Sequence, residues 1–418
     1  MEKRRVVVTG LGAITPIGHD VHSMWQGIKE EKCGIDFITK YDCKDRKVKV
    51  AAEIKNYTPV GLDKKAARKM DHFSQYAVIA AKEAFQDAAL DKESYNADRF
   101  GVMISSGMGG LETWEKEEMK ALEKGYDRVS PFYVPMVIAN LAAGNVAIAL
   151  QAKGMCSCPV TACAGGTNAI GDAFRSIRDG YHEIMACGGT EATITPLGIG
   201  GFTAMKALSE SEDPMHASIP FDKNRNGFVM GEGAGVLILE EYEHARARNA
   251  HIYAEVIGYG TSCDAYHITA PDAQGECGAK AMMNALQDAN ILPGAIDYIN
   301  AHGTSTPLND KMETLAVKKA FQEEAYNIPI SSTKSMTGHL LGAAGGVEGI
   351  ICVKSLQEGF IPATIHIENM DPECDLPVIT TGTKQKIQYA MSNSLGFGGH
   401  NASIIFKAME DNENGTNK

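Results

Sequence analysis

The chain has 418 residues, 44% hydrophobic and 22% charged, which supplies a large core and excludes both a disordered tail and a mini-protein that needs staples. Its 52 acidic side chains outnumber 40 basic ones, and the formal net charge of -12 repels phosphate backbones and argues against general nucleic-acid binding. At about 150 residues per domain the length predicts two or three structural units, which large α/β proteins often merge into one body.

The opening MEKRRVVVTGLG runs straight into a strand signal at 6–9, without an apolar stretch and small-residue cleavage site, so no leader is expected. Next, LDKKAARKMD places Lys64, Lys65, Arg68 and Lys69 on one face of a predicted helix, a positive island on an acidic protein, although such runs are commonly just solvated faces. Helical spacing of apolar residues predicts helices over 71–89 and 275–289, and β-branched runs predict strands at 100–104, 184–186, 236–240, 253–257, 296–300 and 403–406. The uncharged stretch 132–152 is long enough for a membrane span, but Pro135, Asn140, Gly144 and Asn145 interrupt it, and it reads as a helix buried in the core. Strands alternating with helices indicate a layered α/β fold. The tail 410–418 is polar and expected to be disordered. Ten scattered cysteines show no framework or zinc spacing, which points to a reducing cytoplasmic home.

The chain also repeats itself over half its length. RRVVVTGLGAITPIG resembles HIYAEVIGYGTSCDA, CPVTACAGGTNAIGDAF resembles the stretch IPISSTKSMTGHLLGAAGGVEG, and GEGAGVLILEE resembles GFGGHNASIIFKA. Halves of 1–250 and 251–409, stacked with their Gly/Ala-rich helices at the centre, give five layers, αβαβα.

Cys163, in VTACAGGTNAIGDAF, falls on an elbow between a strand signal and a helix start, where backbone N–H groups and the positive end of the helix are expected to lower its pKa. His302, in NAHGTSTPLND, follows an apolar strand; His339, in SSTKSMTGHLLGAAGG, reads as lying at a helix start, nearly where Cys163 lies in the first half, and is expected to stay neutral there. A thiol and two neutral imidazoles suit acyl-thioester formation followed by enolate stabilisation. A protease would leave one histidine and Lys334 without a task. Nucleotide binding fits neither VTGLGAITPIG, which lacks the third glycine, nor GEGAGV, which leads into a strand.

VTACAGG, NAHGTSTPLND, KSMTGHLLGAAGG and NSLGFGGHN, in this order, resemble the β-ketoacyl-[acyl carrier protein] synthases, most of all their type II elongating branch, from about residue 4 to 406. That resemblance implies a thiolase-like duplicated αβαβα fold, a homodimer in the cytoplasm, no required cofactor, and acyl and malonyl forms of acyl carrier protein as partners. It implies Cys163 as the nucleophile, His302 and His339 as holders of the malonyl carbonyl, Lys334 as organiser of the histidines, and the N–H groups of Cys163 and Phe397 as oxyanion hole. Phe397 would also be a gate beside Leu395, Thr304 and Thr306 would bind the phosphopantetheine arm, and Met108 and Phe202 would line the acyl pocket. The island of Lys64, Lys65, Arg68 and Lys69 would dock the carrier. Asn300, Glu348, Ser392 and Asn393 resemble a set that holds a structural Na+ or K+ in some relatives; a hydrogen-bonded carboxylate without metal is the alternative. A type I synthase or a polyketide condensing enzyme would share the Cys-His-His set. A degradative thiolase would add a second catalytic cysteine near the C-terminus, and a priming synthase would have asparagine in place of His339.

Overall fold

The computed structural model describes residues 3–91 and 93–410, so the predicted disordered tail, apart from Glu410, lies outside the described residues. Ten strands form one hydrogen-bonded array: β1 (Val6–Ile14), β2 (Phe100–Ser105), β3 (Cys156–Ser157), β4 (Ile184–Glu191), β5 (Gly233–Glu241), β6 (Ala254–Cys263), β7 (Tyr298–Asn300), β8 (Ile330–Ser331), β9 (Tyr389–Gly396) and β10 (His400–Ala408). The helices that matter here are α1 (His72–Asp87), α2 (Leu141–Leu150), α3 (Gly165–Arg178), α4 (Pro196–Ala204), α5 (Glu276–Ala289), α6 (Pro307–Phe321) and α7 (Ala344–Glu358).

The strand order is β8-β7-β9-β10-β6-β1-β5-β4-β2-β3, and its two ends mirror each other. β1 pairs antiparallel with β5 and β5 with β4, then β4 pairs parallel with β2 and β2 with β3. β6 makes the same series with β10, β9, β7 and β8. The halves join where Val6, Val7 and Val8 face Val256, Glu255 and Ala254.

Alternation along the strands sorts their side chains into layers. Val236 and Ile238 point to the outer core under α1, with Phe73, Tyr76, Phe100 and Ile104. Leu237 and Leu239 point to the central core, where Ile170 and Phe174 of α3 meet Val347 and Ile351 of α7. α5 and α6 cover the far side through Met282, Leu286, Ala316 and Phe321. The sequence is therefore α1, sheet, α3 with α7, sheet, α5 with α6: five layers.

The central pair touches backbone to backbone. A Cβ at Gly166 would stand 2.7 Å from Gly346 N, and one at Gly345 would stand 2.3 Å from Thr167 N, which no side chain tolerates.

Two expectations differ from this fold. The stretch 132–152 is not one buried helix: it breaks into the short helix Tyr133–Val137 and α2, and it leaves Val134 and Ile148 exposed, because the backbone turns extended at Ile138 after the first piece and left-handed at Gln151 after the second. Lys64, Lys65, Arg68 and Lys69 do not share a helix face, since the helix Lys64–Ala67 is a single turn with Arg68 as its cap and Lys69 beyond it; all four remain exposed. Among the described residues no helix is long and apolar enough to cross a membrane.

Candidate active site

Cys163 sits in the 3-10 turn Ala162–Ala164 that leads into α3, entered through Ala162 at φ +49°. The second half repeats the device, with Leu341 at φ +48° opening the turn Leu341–Ala343 before α7. Left-handed backbone is unfavourable for residues with a Cβ, and its recurrence marks a turn over-determined by the packing around it. The hairpin of β9 and β10 closes on the elbow: a Cβ at Gly396 would meet Thr161 O at 2.8 Å and Cys163 N at 3.2 Å. Among the described residues no backbone carbonyl takes up the N–H of Cys163 or of Phe397.

The expected depression of the Cys163 pKa is overturned. Burial pushes the thiol up to about 12, because desolvation of a thiolate in this closed cluster outweighs the pull of Lys334, and the Glu191 and Glu348 carboxylates add to the rise. The resting sulfur carries its proton.

By the matching left-handed turns, Gly342 is the counterpart of Cys163, and His339 lies three residues earlier, in an isolated bridge with Met230 and five residues before α7. A helix terminus therefore does not account for its neutrality. His339 is held by the first half, its N–H donating to Val229 O at 2.7 Å and its carbonyl accepting from Gly231 N–H at 2.9 Å. His302 follows β7, and its N–H donates to Glu313 Oε1 while that of Gly303 donates to Oε2, both at 2.7 Å. The two rings stand edge to face at 5.3 Å. Burial, and then the Lys334 charge, hold both imidazoles well below their usual pKa, and each Nδ1 is sealed from solvent without a partner.

One cavity of about 390 Å³ joins these groups: its lining includes Cys163, His302, His339, Thr304, Thr306, Phe202, Leu395 and Phe397. Thr304 and Thr306 lie side by side with their hydroxyls 3.0 Å apart. Phe397 packs beside Phe202 with ring centroids 6.2 Å apart. Met108 does not reach this cavity; it follows β2 with its N–H on Glu191 and its side chain 45% exposed.

Lys334, buried, pairs with Glu348 of α7. Among the described residues Glu348 Oε2, Asn300 Oδ1 and Ser392 Oγ are buried with no partner, Asn300 and Ser392 being register neighbours on β7 and β9. Asn393, in contrast, is satisfied, donating to Met282 Sδ and accepting from Ser403 Oγ. No cluster of three or more His, Cys, Asp or Glu able to hold a metal occurs among the described residues.

Sequence reasoning missed four residues. Glu313 grips the His302 loop, and Glu191 accepts from Gly107, Met108 and Gly342 and so ties the two halves together beside Cys163. Asp264 latches the Phe397 hairpin, its carboxylate accepting from Asn401 Nδ2 at 2.7 Å and its N–H donating to Gly399 O at 2.9 Å. Arg225 crosses from the first half to the loop of Thr306. An acidic or basic residue on a helix or loop carries no local pattern that announces such a distant partner.

Residues 3–245 match the β-ketoacyl synthase N-terminal domain family and residues 253–368 the β-ketoacyl synthase C-terminal domain family. The chain is 53% identical over 410 residues to a 3-oxoacyl-[acyl-carrier-protein] synthase 2 of Synechocystis sp., covering 97% of this chain and 99% of the relative. It is 51% identical over 411 residues to the protein of that name from Staphylococcus aureus, covering 98% and 99%. Among solved structures, a β-ketoacyl synthase from Burkholderia phymatum is similar at TM-score 0.90 and 34% identity, over 97% of this chain and 100% of that one. A ketosynthase solved in complex with its type II polyketide acyl-carrier protein is similar at TM-score 0.91 and 36% identity, over 98% and 100%.

Proposed function

Because the chain belongs to the β-ketoacyl synthase family, we propose that Cys163, His302 and His339 divide the two halves of a decarboxylative condensation between them. The chain is a type II 3-oxoacyl-[acyl carrier protein] condensing enzyme, an acyltransferase of fatty-acid elongation with the thiolase-like fold. The observation that carries the division of roles is the single cavity that brings the buried thiol of one half to two neutral imidazoles of the other.

An acyl group enters as a thioester of the carrier's phosphopantetheine arm, which Thr304 and Thr306 bind at the mouth. Cys163 sulfur attacks the carbonyl carbon, the N–H groups of Cys163 and Phe397 receive the oxyanion, and the carrier thiolate leaves and takes up the proton that Cys163 gives up. Malonyl carrier follows. Its bond to the carboxylate breaks, carbon dioxide departs, and the electron pair stays as an enolate whose oxygen accepts from the imidazole N–H groups. Neutral rings suit this task, since a donor is needed and not a cation that would surrender its proton to the enolate. The enolate carbon then attacks the Cys163 thioester, the C–S bond breaks, sulfur regains a proton taken up from solvent, and the 3-oxoacyl chain leaves on the carrier. Phe397, its ring tilted by 30° against that of Phe202, would separate the acyl and malonyl stages.

Three buried oxygens without partners, on Glu348, Asn300 and Ser392, fit a hard monovalent cation such as Na+ or K+. It would supply fixed charge beside a carboxyl that burial pushes up, and it would tie β7 to β9 behind His302. Asn393 would join only by giving up its bond from Ser403. The exposed Lys64, Lys65, Arg68 and Lys69 form the surface for acidic carrier protein, with Lys69 over the ring of Phe132. A second copy of the chain suits the short edge strand β3 and the exposed Val134, Ile138, Ile148 and Val160 near it. Ten free thiols suit the cytoplasm.

The test is mass spectrometry of the intact protein after incubation with acyl carrier. The wild-type chain should gain one acyl mass and Cys163→Ala none; a persisting shift in that variant overturns the assignment. His339→Ala should still acylate yet fail to release carbon dioxide from malonyl carrier.

A further inference from the structure

Thr304 and Thr306 meet the cavity on a backbone that would not hold this shape alone. Ser305 between them has φ +70° and Gly303 before them φ +34°, and the left-handed region is unfavourable for serine. Ser305 is fully buried and each of its polar groups is taken. Its N–H donates to Asp310 Oδ1 at 3.2 Å, its hydroxyl oxygen accepts from Ile219 N–H at 2.9 Å, and its carbonyl accepts from Gly227 N–H at 3.1 Å. Ile219 and Gly227 belong to the first half of the chain, and the threonines to the second.

Arg225, on the same first-half segment and 7% exposed, completes the grip. Its Nη2 donates to Pro307 O at 3.0 Å and its Nε to Thr306 O at 3.3 Å, while Nη1 is anchored on Asp222 O at 2.8 Å and Asp371 Oδ2 at 2.6 Å. Nε also lies 3.4 Å from Asp310 Oδ2, so one carboxylate serves both Ser305 and Arg225. Thr306 is the N-cap residue of α6, yet its hydroxyl makes no cap and instead lies beside that of Thr304. A threonine at this place ordinarily turns its oxygen to the helix N–H groups.

We propose that Arg225 and Ser305 are positioning residues for the thioester arm: they clamp the peptides on either side of Thr306 so that two hydroxyls face the cavity together. The assignment rests on the reading of Thr304 and Thr306 as the arm-binding pair. Arg225 touches no reacting atom. Its effect therefore belongs in the affinity for donors that carry the arm and not in the chemistry at Cys163.

Acylation of Cys163 in the full-length protein, followed by mass spectrometry with two donors of the same acyl group, separates these. One donor is the pantetheine thioester and the other the S-ethyl thioester, which has no arm. Arg225→Lys keeps the charge opposite Asp310 and Asp371 but loses the fork that reaches two carbonyls. It should raise KM for the pantetheine donor roughly tenfold, the loss of about one charge-assisted hydrogen bond, and leave the rate with the S-ethyl donor unchanged. Ser305→Gly, which accepts the left-handed backbone and loses only the hydroxyl clamp, should show the same split and carries the test if Arg225→Lys does not fold. Equal losses with both donors, or no loss with either, overturn the clamp. A wild-type chain that acylates Cys163 with no preference for the pantetheine donor would instead overturn the reading of the threonines.

Discussion

In the proposed mechanism His302 and His339 act as neutral donors, and the energetic cost of keeping them neutral is visible in pH. Burial and Lys334 depress both pKa values in the folded chain, whereas in the unfolded chain each ring titrates near its ordinary value of about 6.5. As pH falls below that, the unfolded chain gains protons that the folded chain refuses. The stabilising difference is thus present above about 6.5 and lost at lower pH, by about 1.4 kcal/mol per pH unit for each ring. His302→Asn removes one such group, so between about pH 7.5 and 5.5 its unfolding free energy in urea should fall by about 1.4 kcal/mol less than that of the wild-type chain. Equal falls would show that His302 is charged in the folded state. Cys163 teaches the complementary lesson. Its place on an elbow was legible from VTACAGG, but the sign of its pKa shift was not. Desolvation depends on Phe228, Met230 and Leu341, which reach it from elsewhere in the chain.

At the scale of elements, the duplication was legible because its glycines recur in phase, and they recur because α3 and α7 approach until no Cβ fits between them. Gly166→Ala should therefore cost upward of about 2 kcal/mol, from overpacking against Gly346. Gly201→Ala, on α4 with nothing within 4 Å of the new methyl, should be neutral or stabilising by up to about 1 kcal/mol, because alanine favours helix. Thermal midpoints of the two variants check this contrast, and similar shifts would refute the close approach. β9 was missed for a physical reason: YAMSNSLG has no β-branched residue, and its buried Ser392, Asn393 and Ser394 are polar. Two of those polar side chains face other polar groups inside, Ser394 lying 2.8 Å from the Thr167 hydroxyl and Asn393 bonded to Ser403. A strand whose buried face is polar leaves no hydrophobic period to find.

Over the whole molecule, the proposed docking of an acidic carrier protein has to be reconciled with a net charge of -12. Long-range repulsion is screened beyond about 8 Å at physiological salt, so docking depends on local cations and not on the total. In that proposal the exposed Lys64 and Lys65 of the turn Lys64–Ala67, with Arg68 and Lys69, would supply them, held out by Asp63, whose carboxylate accepts from the N–H groups of Lys65 and Ala66. The cluster was legible as composition, although its presentation on one short capped turn was not, because four residues are too few to show a helical period. Reversing two of these charges, Lys65→Glu with Arg68→Glu, should raise KM for carrier-linked acyl donors by on the order of tenfold at low salt, since like charges now face the partner. The effect should shrink toward about 1 M salt, where the screening length falls to about 3 Å. Pantetheine donors, which have the arm without the carrier, should be used as before. A KM for carrier-linked donors that does not change would remove this turn from the docking surface, and an equal loss with pantetheine donors would mean that the substitutions act through the cavity and not through the protein partner.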